Sequence, residues 1–350
     1  MAGKRARRVV CAIALAAAAV FPEAADAQVN TVSGAAANDQ IIQDQVNQVV
    51  TPVFRDSVRQ TTAAVQQRLG TYLSRKGGGG TAQNSLVPQY DGETGLAGGD
   101  DFLAKAAWGD VTSTHLSSVN TAAGTTGKGK QDGFSHTMTL GLDGQTGDWV
   151  LGAAASLNFT RLDLHWTNGT SETHGITVTP YAGYTIDDVW SLDVQTSYTR
   201  SRYNLDLSDS TGDFNSDRLT VVGNVNAFKQ FGAWNLTGMA GFLYAREIVH
   251  NFDLKSSGAP VRVSPGFNQL GQFKTGFETA YTIGDWEPYA GATLEVDYLN
   301  EGSDRVGAVY KGGFRYRFGG ATIAGFEAST VQHRGNEENY SLGANFRLQF

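Results

Sequence analysis

Three stretches of this chain hold side chains whose types and spacing could do chemistry. His115-Leu116-Ser117 sets an imidazole and a hydroxyl two residues apart, which in an extended strand puts both on one face. A nucleophilic serine needs, besides its base, a third group that orients the imidazole, and no such Asn stands out. GTTGKGKQ (124–131) has the G-x-x-x-x-G-K spacing of a phosphate-binding loop. Gln131 stands, however, where a hydroxyl must reach Mg²⁺, and the stretch lies between two strand patterns instead of opening a helix. It reads as a flexible external loop. The third group is electrostatic. Glu287, Glu295 and Asp297 alternate with apolar residues in WEPYAGATLEVDYL, as Lys311, Arg315 and Arg317 do in AVYKGGFRYRF. If the two stretches pair as a hairpin, Glu287 faces Arg315 or Arg317, and Asp297 lies near Arg305. Charges so placed could set ion selectivity or grip a polypeptide, but mutual compensation is the plainer reading. The histidines are scattered, and none makes a ligand pair with a neighbouring Cys, Asp or Glu cluster. No metal site, no cofactor and no catalytic residue is assigned.

The elements that would carry these residues are strands. From Phe102 onward apolar residues recur with period two: Trp286, Pro288, Ala290, Ala292, Leu294, Val296 and Tyr298 share one face, and Tyr310, Gly312, Phe314, Tyr316 and Phe318 another. WNLTGMAGFLY and WVLGAAASLNF repeat the scheme. Twelve such strands are expected, beginning near residues 102, 133, 148, 172, 189, 216, 233, 267, 286, 305, 321 and 337. Several reach the ~9–11 residues a tilted membrane strand needs. Short turns, DGQTG (143–147), DD (187–188), FG (231–232), GD (284–285) and GG (319–320), alternate with generally longer loops. One of these, 249–264, reads as an exposed loop whose composition names no partner. Trp149, Trp190, Trp234 and Trp286 each follow a short turn. With Tyr184, Phe318 and Phe350 at strand ends, they would form an aromatic girdle at one membrane interface. The final stretch, NYSLGANFRLQF, alternates as well: Tyr340, Leu342, Phe346, Leu348 and Phe350 fall on one face, and Ser341, Asn345, Arg347 and Gln349 on the other.

The N-terminus is different material. Lys4, Arg5, Arg7 and Arg8 precede an apolar run, and Ala25-Asp26-Ala27 closes it, the layout of a secretory signal cleaved between Ala27 and Gln28. The residues flanking Arg7-Arg8 match a twin-arginine signal poorly, so the general secretion machinery is the expected route. Cys11, the single cysteine, lies inside residues 1–27. The formal charge of −7 becomes about −9 once that segment, with its four positive and two negative charges, is removed, which argues against nucleic acid as a partner. Residues 28–76 form a helical segment. Ile42, Val46, Val49 and Val50 have helical spacing; Thr51-Pro52 then resembles an N-cap and first helical position. Phe54, Val58, Val65, Leu69, Tyr72 and Leu73 mark a second helix, with Arg75 and Lys76 in its last turn. Its length is roughly 36 Å. Residues 77–101 are a Gly-rich linker, and 102–350 carry the strands.

Long antiparallel strands in lipid must close on themselves, and an even number puts both ends of the sheet on the short-turn side. The expected fold is therefore all-β: a twelve-stranded antiparallel transmembrane β-barrel with a short N-terminal helical segment. A β-propeller would need about four short strands per repeat, whereas each Trp-to-Trp unit here holds two long ones. Signal, helix, twelve strands and an aromatic-x-aromatic-x-Leu-x-Phe-like ending together resemble the autotransporter translocator domain of Gram-negative bacteria. The resemblance implies the cell outer membrane, contact with outer-membrane lipid, and recognition of Tyr340, Leu342, Phe346, Leu348 and Phe350 by the barrel-assembly machinery. It implies a translocator or membrane anchor without catalysis. Family passengers are usually far longer than residues 28–101, so the helix is a plug in the lumen, a very small exported passenger, or a periplasmic arm. A channel gated by that helix is the alternative function. Oligomeric state is left open. His115 and Ser117 faintly resemble the pair of the outer-membrane phospholipase, also a twelve-stranded barrel. That family's serine is followed by Asn-Gly, whereas Ser118-Val119 follow here. A lipid hydrolase is thus a distant third reading, and it makes one demand: Ser117→Ala must abolish any lipase activity of the purified barrel, and activity that survives removes its basis.

Overall fold

A lipid-facing sheet leaves a signature that a water-soluble one cannot: large apolar side chains outside, hydroxyls and amides within. The computed structural model describes residues 35–73, 106–121, 128–207, 210–256, 260–264, 266–299, 305–318, 322–335 and 337–349. The expected cleavage pair Ala27–Gln28, Arg75–Lys76, the linker 77–101 and Phe350 lie outside these. One helix, α1 (Ala35–Leu73), precedes the strands. They are β1 (Ala106–Thr121), β2 (Lys128–Thr146), β3 (Trp149–Leu164), β4 (Gly169–Thr185), β5 (Trp190–Asp206), β6 (Ser210–Phe231) and β7 (Trp234–Val249). A short pair, β8 (Phe252–Ser256) and β9 (Val261–Val263), comes next. Then follow β10 (Phe267–Tyr281), β11 (Trp286–Leu299), β12 (Val306–Phe318), β13 (Thr322–Arg334) and β14 (Glu337–Gln349). The twelve long strands pair antiparallel with their neighbours, β7 with β10 across the insertion, and β1 with β14. That last pairing, from Ala106↔Gln349 to Ser118↔Glu337, closes the barrel.

Inside, hydroxyls pair across adjacent strands: Ser135 with Thr160 at 2.9 Å, Thr139 with Ser156 at 2.9 Å, and Thr177 with Thr199 at 2.8 Å. Outside, Phe159, Ile176, Phe273, Phe277 and Leu342 are more than half exposed, an apolar surface far too extensive for water. Between Trp149 and Phe159 on β3, ten residues of tilted strand span on the order of 25 Å, the height of an outer-membrane apolar band. Trp149, Trp190, Trp234 and Trp286 each open a strand, all 40–50% exposed. Three of their rings lie 4.6–4.8 Å from Tyr184, Tyr281 and Tyr316. Short turns are made by Gly147, Gly232 and Gly284 at φ near +60°, where a Cβ would be strained. At 187–188, Asp187 accepts the N–H groups of Trp190 (2.8 Å) and Val189 (2.9 Å) instead. Those two bonds hold its carboxyl below the usual carboxylate range.

Four expectations are corrected. DGQTG is not a turn throughout: β2 runs to Thr146, so Asp143 sits in a strand and points inward. Lys128–Gln131 likewise belong to β2, and Gln131 is buried. The loop 249–264 contains β8 and β9, with Phe252, Leu254 and Val263 buried, because their alternation gives the hairpin one apolar face. The two expected helices are one. Pro52 lies inside α1, where it removes the bond its N–H would make to the Gln48 carbonyl. That carbonyl accepts Gln131 Nε2 at 2.9 Å, and the helix continues through the proline.

Glycines admit aromatic rings from neighbouring strands. A Cβ on Gly109 of β1 would strike the Phe346 ring of β14, whereas one on Gly238 of β7 meets nothing within 4 Å. Gly109→Val is therefore expected to destabilise the barrel by about 1–3 kcal/mol in urea unfolding from lipid vesicles, with Gly238→Ala unchanged or slightly stabilised.

Candidate functional site

The lumen is the site, and residues 46–70 of α1 occupy it. At the long-connection end, Val46, Val49, Val50 and Val53 of α1 pack against Leu116, Leu162, Leu164 and Leu205 of the barrel wall. The β8–β9 hairpin contributes Phe252, Leu254 and Val263 to the same cluster, and the rings of Tyr203, Phe214 and Phe252 stack at 4.8 and 4.4 Å. This apolar seal excludes water from one mouth.

Below it lies a layer of charge. Arg55 pairs with Asp297 at 3.2 Å and Glu337 at 3.5 Å. One turn on, Arg59 pairs with Glu295 at 3.2 Å and Glu337 at 3.1 Å. The wall adds Arg334, 3.1 Å from Glu295 and 2.9 Å from Asp297, and Lys274, 3.6 Å from Glu295. Arg334 faces inward because of a bulge: the register shifts between Val331 and Arg334, and His333 takes φ +64°, adding a residue that reverses the alternation. On the opposite wall, Arg218 of β6 donates to Ser57 Oγ at 2.7 Å and sits 5.7 Å over the Phe54 ring.

At the short-turn end, Arg68 grips Asp143 by two hydrogen bonds. Tyr181 Oη donates to the same carboxylate at 3.0 Å and accepts from Trp108 Nε1 at 2.8 Å. Ala64, Val65 and Leu69 pack on Trp108, Val150 and Ala154 beside this chain of bonds. Solvent does reach this half of the lumen: Ala63 is exposed, and Gln66, Gln67 and Gly70 are half-exposed.

The charges picked from sequence divide into two sets. Glu295 and Asp297 hold the helix. Glu287 and Arg315 face each other in register and pair at 2.8 Å, and Glu278 binds both Arg315 and Lys311 at 2.6 Å, a self-compensating mesh. Arg317 is half-buried near the short-turn rim, its N–H donating to the Asp285 carbonyl at 3.0 Å. The backbone N–H of Asp297 does meet the Arg305 carbonyl, at 2.7 Å, but its carboxylate goes to Arg334 and Arg55. Tyr340, Leu342, Phe346 and Leu348 all face outward, 43–56% exposed. His115 lies outward too, its ring 5.1 Å from Phe134, and Ser117 shares that face. Among the described residues no His, Cys, Asp or Glu group could hold a metal ion. Sequence reading missed Arg55, Arg59, Arg68, Asp143 and Arg334. Only the i, i+4 spacing of Arg55 and Arg59 hinted at a shared helix face.

A closed barrel, greasy outside and polar within, with a helix bound to its inner wall, defines an outer-membrane β-barrel. Comparisons place it further. An autotransporter β-domain family model matches residues 107–347. Among solved structures, the translocator domain of the autotransporter NalP from Neisseria meningitidis is similar with TM-score 0.65 and 14% identity, over 85% of this chain and 99% of that one. The β domain of the Bordetella autotransporter BrkA gives TM-score 0.57 and 17% identity, over 71% and 100%. The transport unit of the autotransporter AIDA-I from Escherichia coli gives 0.52 and 13%, over 81% and 98%. Comparison with curated proteins finds no match. The chain belongs to the autotransporter β-domain family.

Removing one member of a buried ion pair strands the other. Arg68→Met is thus expected to weaken docking of α1 by about 3–5 kcal/mol, read as faster amide exchange over residues 62–70. Adding Asp143→Leu should recover most of that loss.

Proposed function

We propose that this outer-membrane barrel translocates and then anchors the chain's own N-terminal segment, with α1 remaining in the lumen as a plug. The observation that carries the reading is the polarity of the helix. Val46–Val53 meet the wall at the long-connection end, and Arg68–Leu69 meet it beside the short turns. Long connections lie outside the cell in bacterial barrels, so the helix points its N-terminal end outward. Residues 28–34 would then be the exported passenger, and 1–27 the signal read by the general secretion machinery. The outward face of β14, with Tyr340, Leu342, Phe346, Leu348 and Phe350, suits recognition by the barrel-assembly machinery through strand pairing.

The wet short-turn half, with Ala63 exposed and Lys311 and Arg315 half-buried, favours a second reading, a channel gated by α1. Two measurements test the luminal helix that both readings share. Cysteine at Ser57 in the otherwise cysteine-free mature chain should resist an impermeant maleimide on intact cells, because the site is buried in the lumen. Labelling there would place the helix on the cell surface instead. Deleting residues 35–73 should raise conductance in planar bilayers severalfold, since a helix roughly 10 Å wide no longer fills the bore; unchanged conductance would count against plugging.

A further inference from the structure

A proline inside a helix deprives one carbonyl of its intrahelical donor, and crowds that carbonyl with its ring. In α1 the carbonyl is Gln48's, four residues before Pro52. It points to the barrel wall and accepts Gln131 Nε2 of β2 at 2.9 Å. The same amide donates its other hydrogen to Ser118 Oγ of β1, also at 2.9 Å, and Ser118 and Gln131 are register partners. Gln131 is 1% exposed, so water does not substitute for it.

Two other helix carbonyls accept from wall side chains: Phe54 from Arg218 at 3.5 Å, and Thr62 from Gln195 at 3.2 Å. Both keep an N–H four residues on, from Val58 and Gln66, so the wall bond is a second one. At Gln48 it replaces the missing one. Arg68 on Asp143 fixes the far end of the helix; the grips nearer Gln131 are more forgiving. Valine contacts at the seal are non-directional, and the long Arg55 and Arg59 side chains can follow a small axial slide by changing rotamer.

We propose that Pro52 and Gln131 form an axial latch: the proline marks one turn of the helix, and Gln131 reads that mark and sets the depth at which α1 sits. Gln131 is a positioning residue for the plug, and the inference rests on the plug reading above. A slide of one turn, about 5.4 Å, would bring to Gln131 a carbonyl that already has its intrahelical donor, and would take Gln131 away from the Gln48 carbonyl, to which Pro52 offers none. The loss of that bond is what gives the latch its discrimination.

The test uses the full mature chain folded into lipid bilayers, with Gln131→Leu, Pro52→Ala and the double variant. Gln131→Leu should speed amide exchange over residues 46–60 about tenfold, the cost of roughly one buried hydrogen bond. Open-channel bursts should become more frequent, while exchange in strands remote from Gln131 stays as in the parent. In the Pro52→Ala background the same substitution should change exchange less than about twofold, because the helix regains a backbone N–H four residues after Gln48 to close onto that carbonyl. Equal effects in both backgrounds would reveal generic packing loss and overturn the latch. So would a Gln131→Leu variant indistinguishable from the parent. Exchange needs no open channel, so a deletion of residues 35–73 that leaves conductance unchanged would sink the plug while the latch is still judged from this coupling.

Discussion

Hydrocarbon offers no partner to a backbone N–H or C=O, and the rest of this structure follows from that. A sheet in lipid can have no edge, so β1 must find β14, and it does over thirteen register pairs. Closure then assigns every second side chain to lipid and its neighbour to the lumen. The lipid face is filled by Phe, Leu, Ile and Val, and strand ends near the short turns by tryptophan. A closed ring with hydroxyls, amides and ions on its inner surface has in turn to satisfy them.

Helix α1 meets that second demand. Glu295, Asp297 and Glu337 lie in a layer where the wall alone supplies Arg334 and Lys274. Arg55 and Arg59 complete the balance from the helix. Buried ion pairs add little net stability against apolar replacements, yet breaking one is costly. Their value here is geometric: Arg55 and Arg59, one turn apart, fit these carboxylates in only one rotation of the helix. Arg68 with Asp143 and Gln131 with the Gln48 carbonyl constrain the same helix at two other depths. Rotation and height are set together.

The two mouths are built from different materials. The outer one is closed by an apolar cluster that includes a hairpin from between β7 and β10. The inner half stays wet, lined by compensated charges such as Glu287–Arg315 and Glu278–Lys311. A dry seal at one end above a solvated chamber at the other is what the proposed plug would require.

Much of the architecture was legible in the amino-acid order, because strand periodicity is local. Alternation and short turns alone located twelve strands, most starts within a few residues, and aligned Trp149, Trp190, Trp234 and Trp286 at one rim. Hairpin register brought Glu287 opposite Arg315 or Arg317, and the first of these is its partner. Sequence could not show where α1 sits, since a helix that buries residues on all sides looks weakly amphipathic, and its partners lie tens to hundreds of residues away. Pro52 read locally as a helix start; in the structure the helix runs through it, and the wall's Gln131 supplies from another strand a donor to the carbonyl the proline leaves. Asp143 read as a turn residue, and Arg334 by plain alternation would face lipid. Strand extension brought the first inside, and the bulge at His333 the second. Period, charge and turn chemistry belong to neighbours along the chain, so sequence determines them. Which carbonyl meets which amide, and which carboxylate meets which guanidinium across the lumen, was decided by closure of the barrel around its helix.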